Sequence, residues 1–96
     1  MNKRFSSDFL RSIRNDIPME SLIVDVLKIP HKFSENYFRF LCPKCHEFRT
    51  AINQRTNLAR CFLCQVNFNT IDFTMITRNL DFTKTVYFLQ RYFFLN

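Results

Sequence analysis

The sequence predicts an α+β fold, a small antiparallel β-sheet flanked by N- and C-terminal helices. Three observations predict it. Helix-capping signals stand only towards the two ends of the 96-residue chain, at Ser6-Ser7-Asp8, at Asn69-Thr70 and at Asp81. Between them, residues 31–67 read as aromatic-rich, extended segments with a hairpin. Two Cys-x-x-Cys pairs flank those extended segments.

The elements follow in order. After the first cap, Phe9, Leu10 and Ile13 have helical spacing. Pro18 suits the first turn of a second helix, whose apolar stripe is Leu22, Ile23, Val26 and Ile29 and which Pro30 stops. Phe33 and residues 37–42 are extended, with Phe38 and Phe40 on one face and Tyr37 and Arg39 on the other. Residues 49–53 and 58–62 form a hairpin around 54–57. Asn69 or Thr70 caps a third helix carrying Asp72 in its first turn and Ile71, Phe73, Met75 and Ile76 beyond. Asp81 caps a fourth, with Phe82, Val86, Leu89 and Phe93 as its stripe. Residues 1–96 are read as one domain, with the ribbon at about 31–68 and helical flanks at 6–29 and 70–94.

So short a chain buries only about 60–65% of its unfolded surface, and such domains often need a metal or disulfide staple. There is no glycine, so turns requiring positive φ fall to residues such as Asn53, Asn57, Asn67, Asn69 and Asn79. No apolar run approaches the roughly 18 residues of a membrane span, and the basic N-terminus lacks a signal peptide's apolar core. A cytoplasmic location with reduced thiols is the expectation.

Cys42-x-x-Cys45, fifteen residues, then Cys61-x-x-Cys64 is the spacing of a two-knuckle zinc ribbon. Each pair places two thiolates on one tight turn, and the hairpin brings the turns around a single tetrahedral ion. Four thiolates leave no position for water or substrate, so one structural Zn2+ is expected. Thioredoxin-like redox chemistry needs one such pair in a βαβ setting, and two disulfides need an oxidising compartment. The spacing favours Cys45 over the adjacent His46 as ligand.

Net charge is +6, and it is concentrated. Between positions 28 and 60 lie Lys28, Lys32, Arg39, Lys44, Arg49, Arg55 and Arg60, opposed only by Glu35 and Glu47. Composition alone serves a solubilising surface and a polyanion partner equally. Cations interleaved with aromatics are what single-strand binders use, pairing a phosphate track with stacking platforms. The nucleic-acid candidates are Lys32, Tyr37, Arg39, Lys44, Arg49, Arg55 and Arg60, with Phe38 or Phe40 for stacking. The eight acidic residues are scattered, which argues against a two-metal nucleotidyl-transfer centre in this chain alone.

The run LCPKCHEFRTAINQRTNLARCFLCQVNFNTIDFTM resembles the N-terminal zinc-binding domain of bacterial and phage-type DNA primases, the DnaG-like N-terminal domain. The matching pieces are the helix at 17–29, the aromatic strand at 37–41, Cys42-Pro43, Cys61-Phe62-Leu63-Cys64 and Ile71-Asp72-Phe73. Leu80-Asp81-Phe82 followed by Thr85-Val86 resembles the family's last helix, so the resemblance covers about 17–92. Cys45 stands where the family usually has histidine, and Leu63, Gln65 and Phe68 stand near positions where it has glycine. Nothing resembles the catalytic domain that follows in those primases. The resemblance implies a non-catalytic accessory subunit in replication priming. It would bind single-stranded DNA template and a separately encoded polymerase or primase, an arrangement suited to a phage or other mobile replication module. The alternatives are a zinc-ribbon protein–protein adaptor and a duplex-DNA-binding regulator. The aromatic tail, Tyr87, Phe88, Leu89, Tyr92, Phe93, Phe94 and Leu95, fits either homodimerisation or docking on an enzyme, or packing back onto Phe5, Phe9, Leu10 and Ile13.

Overall fold

The computed structural model describes residues 5–34 and 36–94. Helix α1 (Ser7–Asn15) starts where the sequence places its cap: the Ser6 hydroxyl oxygen accepts from the Phe9 N–H at 3.1 Å, and Asp8 sits in the first turn. Helix α2 (Met19–Ser21), with Pro18 as its cap, passes directly into a π-helical segment (Leu22–Val26). The expected regular helix to Ile29 is therefore corrected. The Leu27 N–H reaches the Leu22 carbonyl at 2.8 Å, and residues five apart align, so both leucines face the core. Lys28, at φ 53°, then turns the chain away. Arg78 donates to the Val26 carbonyl at 3.2 Å, satisfying an acceptor at this end, while its guanidinium lies over the Phe88 ring.

Five antiparallel strands follow in simple order: β1 (His31–Ser34), β2 (Tyr37–Phe40), β3 (Thr50–Asn53), β4 (Leu58–Cys61) and β5 (Val66–Phe68). The register puts His31, Phe40, Thr50, Cys61 and Val66 in one row across the sheet. Side chains alternate faces along a strand. Phe40, Thr50, Cys61 and Val66 of that row, with Ile52, Ala59 and Phe68, face the helices, while His31 at the sheet edge is exposed. One step along, Lys32, Arg39, Ala51, Arg60 and Asn67 form a row on the opposite, outer face.

Helix α3 (Thr70–Arg78) opens with a capping box. Asn69 accepts from the Asp72 N–H at 2.8 Å, and Asp72 accepts from the Asn69 N–H. Asn79, left-handed at φ 54°, ends it. Asp81 caps helix α4 (Phe82–Phe93) through the Lys84 N–H. Phe73 meets Phe40 and Phe68 edge-on at 5.7 Å each, joining α3 to the sheet. Ile13, Ile17, Met19, Leu22, Ile23, Val86 and Leu89 close the core. Burying each such side chain contributes about 1.5–3 kcal/mol.

Part of the aromatic tail packs inward. Leu89 is fully buried and Phe88 and Phe93 pack against the core, whereas Tyr87, Tyr92 and Phe94 stay exposed, although Tyr87 meets Phe5 at 5.3 Å and Phe94 meets Phe9 at 6.2 Å. Leu95 lies outside the described residues.

A single side chain ties the hairpin turn to the N-terminal helices. Asn57 takes φ 57°, accepts from the Met19 N–H at 3.0 Å, and donates to the Arg14 and Ile17 carbonyls at 2.9 and 2.6 Å. Asparagine tolerates the left-handed region, and its amide supplies both bond types. Asn57→Ala removes all three bonds and is expected to cost about 3 kcal/mol, read from the urea midpoint of the zinc-loaded protein. The buried hydroxyls of Thr50, Thr74 and Thr85 have no partner among the described residues. Thr85→Val is therefore expected to be neutral or to stabilise by up to about 1 kcal/mol in the same assay.

Candidate metal centre and charged sheet face

The two knuckles have the same construction. In the first, the His46 N–H reaches the Cys42 carbonyl at 3.0 Å, and Cys42 Sγ accepts from the Lys44 N–H at 3.4 Å. In the second, the Gln65 N–H reaches the Cys61 carbonyl at 2.8 Å, and Cys61 Sγ accepts from the Cys64 N–H at 3.3 Å. His46 and Gln65 each follow the second cysteine of a pair, and both are left-handed, at φ 61° and 59°. This is the conformation glycine adopts most cheaply, and it is what turns each second thiol back towards the first. Of the asparagines expected at such positions, Asn57 and Asn79 are left-handed. Asn53 and Asn67 lie in strands and Asn69 is a cap, while Lys28, Asn36, His46 and Gln65 supply the rest.

The four Sγ atoms lie within 4.8 Å of one another. Cys42 and Cys64 are 3.9 Å apart, and Cys45 and Cys61 3.6 Å. A tetrahedral ion with Zn–S bonds of about 2.3 Å requires sulfurs about 3.8 Å apart, whereas a disulfide requires about 2.05 Å. The cluster therefore fits one structural Zn2+ and does not hold disulfides. His46 contributes no atom to it.

Electrostatics point the same way. Burial raises the Cys61 thiol, but the Cys64 N–H, the Cys42 and Cys45 thiols and the Leu63 N–H outweigh it and bring the group down to about 7. Burial and the three neighbouring sulfurs push Cys64 up to about 12. Burial also raises Cys45. Without a cation the pocket stabilises the Cys61 thiolate readily and resists those of Cys45 and Cys64. A divalent ion is what lets all four ionise.

The outer face carries the charge. Lys32, Arg39 and Arg60 lie in one row across the sheet, and Tyr37 shares the Arg39 face two residues away. The Phe62 N–H bonds the Arg49 carbonyl at 2.9 Å, which continues the β3–β4 register one step and puts both side chains on the same face. Lys32 stands directly opposite Arg39, a like-charge pairing that destabilises a sheet by a few tenths to about 1 kcal/mol. Each is partly compensated by a ring: Lys32 lies over Phe48 at 5.0 Å and Arg39 over Tyr37 at 4.9 Å. Among the described residues the one ion pair is the exposed Arg11–Asp8 contact, so these cations have no acidic partner there.

The remaining candidates lie elsewhere. Lys44 is exposed on the first knuckle. Arg55 lines a groove of about 750 Å³ between the hairpin turn and the α1–α2 junction, which it shares with Asp16 and Glu20. Phe40 is corrected as a stacking platform, because it is fully buried against Phe73. Phe38 is half-buried among His31, Phe33 and Phe40. The exposed rings on and beside the strands are Phe33 (69%), Tyr37 (58%) and Phe62 (53%). Phe62 is absent from the sequence-derived candidates, although its i, i+2 relation to Arg60 is a signal for it.

The model of a zinc-ribbon family described as CHC2 zinc finger matches residues 5–96. No curated protein matches the chain. Among the described residues no helix is long and apolar enough to cross a membrane.

Metal analysis is expected to find about one zinc per chain, and Cys61→Ser to unfold the protein. Zinc binds the thiolate form, so protons still held by Cys45 and Cys64 must leave first. Affinity should rise with pH from about 7, where Cys61 ionises, keep rising above it because Cys45 and Cys64 hold their protons longer, and fall on acidification, as measured by chelator competition. His46→Gly and Gln65→Gly are each expected to raise stability by about 0.5–1 kcal/mol with zinc retained. Loss of zinc from His46→Gly would make His46 a ligand.

Proposed function

The chain belongs to the CHC2 zinc-finger family, the DnaG-like zinc ribbon of primases, and on that premise we propose that it serves DNA replication priming as a non-catalytic accessory subunit. It binds single-stranded DNA template on the outer face of its sheet. A separately encoded polymerase or primase, as in a phage or other mobile replication module, supplies the chemistry. Residues 1–96 act as one domain in this reading, with the ribbon presenting the face and the helices bracing it.

The observation that carries this reading is the gathering of Lys32, Arg39, Arg49 and Arg60 with Tyr37 and Phe62 on one exposed face. Opposed like charges cost stability in the free protein, and a phosphate chain laid between them reverses that cost. The aromatic rings supply sequence-tolerant stacking. Lys44 extends the cationic track from the first knuckle, and Arg55 lies apart at the hairpin turn. The enzyme partner, or a second copy of this chain, docks on the exposed side of α4 around Tyr92.

Binding of a fluorescein-labelled oligo(dT) to the zinc-loaded chain tests the reading. With four cations on the face, log affinity should fall against log salt with a slope of about −3. Arg39→Ala and Arg49→Ala should each weaken binding and make the slope shallower by about 0.7. A de novo priming assay with each component omitted should lose primers when this chain is left out. Absence of oligonucleotide binding at low salt, alone and with the enzyme, would overturn the proposal. Preference for one duplex sequence would point instead to a regulator.

A further inference from the structure

Two clefts open on the outer face, and they share a wall. The first, about 340 Å³, is lined by Glu20, Asn36, Tyr37, Arg39, Gln54 and Phe62. The second, about 360 Å³, is lined by Asn53, Thr56, Leu58, Arg60, Phe62 and Asn67. Ala51 lines both. Its register explains why there is space. It lies on the central strand, directly opposite Arg60 and one step from the Phe40–Thr50 pair. A larger side chain there would fill the surface between the two arginines. Phe62 follows Arg60 by two residues, rises from the same face and is half exposed. It makes no contact with another ring among the described residues, whereas Tyr37 already carries the Arg39 guanidinium on one side.

We infer that Phe62 is a two-sided stacking wedge for single-stranded DNA: two successive bases enter the two clefts, one against each face of its ring, with Arg39 and Arg60 holding the flanking phosphates. The inference rests on the single-strand reading above and adds to it a unit of two nucleotides and the residue that sets it. Each cleft is at the small end of ligand sites, which suits one planar base and excludes a folded peptide. The first offers Arg39 with the amides of Asn36 and Gln54, the second Arg60 with those of Asn53 and Asn67. The Gln54 and Asn67 side chains have no hydrogen-bond partner among the described residues, so both are available to base edges. Glu20, on the wall of the first cleft, repels phosphate and keeps the backbone on the arginine side.

The test uses the zinc-loaded full chain and a labelled 20-residue oligo(dT), displaced by unlabelled thymidine oligonucleotides of increasing length. Affinity should take its largest step between one and two nucleotides. Phe62→Leu should weaken binding about tenfold to hundredfold with an unchanged salt slope, because no cation is lost. Phe62→Trp should bind at least as tightly as the parent, which covers the case in which the leucine variant folds poorly. Adjacent 2-aminopurine bases in the oligonucleotide, which quench one another while stacked, should brighten as the parent's ring separates them and should not brighten with Phe62→Leu. If Phe62→Leu keeps zinc, affinity and the brightening, the wedge is overturned while single-strand binding stands. If the parent binds no oligonucleotide at low salt, both readings fail, and competition for the face by an acidic peptide would mark it as a protein surface.

Discussion

The closure of two knuckles around one tetrahedral thiolate site is the constraint on which the rest of the fold depends. Cys42 follows β2, and Cys61 ends β4 in the same inner row as Phe40 and Thr50. Closing the site therefore fixes the β2–β3–β4 register, and a slip of one residue would swap the inner and outer faces. The inner face in turn decides what α3 can pack against, through Phe40, Phe68 and Phe73. Structural zinc contributes about 10–16 kcal/mol of folding free energy, comparable to the whole stability of an ordinary domain. The metal and the core are not separate stabilising devices here, because Cys42 and Cys61 are themselves fully buried core residues.

That energy explains how a chain without glycine makes tight turns. Six described residues with a Cβ occupy the left-handed region. For the non-asparagine residues this costs roughly 1–2 kcal/mol each. At His46 and Gln65 the cost falls within the knuckles, where metal binding offsets it directly. At Asn57 it is offset by three hydrogen bonds to the N-terminal helices. At these three positions the strain sits within a residue or two of a strong interaction.

What was legible in the sequence was what short-range chemistry determines. Ser6, Asn69 and Asp81 cap helices because a side-chain oxygen needs only a neighbour three residues on. The cysteine spacing announced the metal centre because a knuckle is a local turn. The π-winding of Leu22–Val26 was not legible, since its apolar spacing also suits a regular helix and the choice is made by packing and by Arg78 from another helix. The burial of Phe40 could not be separated from that of Phe38 by alternation alone. Both share a face, and only the position of Phe73 decides which ring is covered. Asn57 looked like a turn residue, and its partners lie about forty positions away.

The outer face is the counterpart of the metal. A domain of this size without a staple would have to use both faces of its sheet to bury enough apolar surface. Here one face suffices, because the zinc supplies the missing stabilisation. The other face can therefore carry features that a packed surface cannot: opposed Lys32 and Arg39, exposed Tyr37 and Phe62, and a small Ala51 where a larger residue would cover the strand. Each of these is neutral or unfavourable for folding alone. Together they form a cationic, ring-lined, shallow surface, which is complementary to a flexible polyanion with planar bases. The thiolate site thus holds the fold together from one end of the sheet and leaves its outer face free of the need to pack.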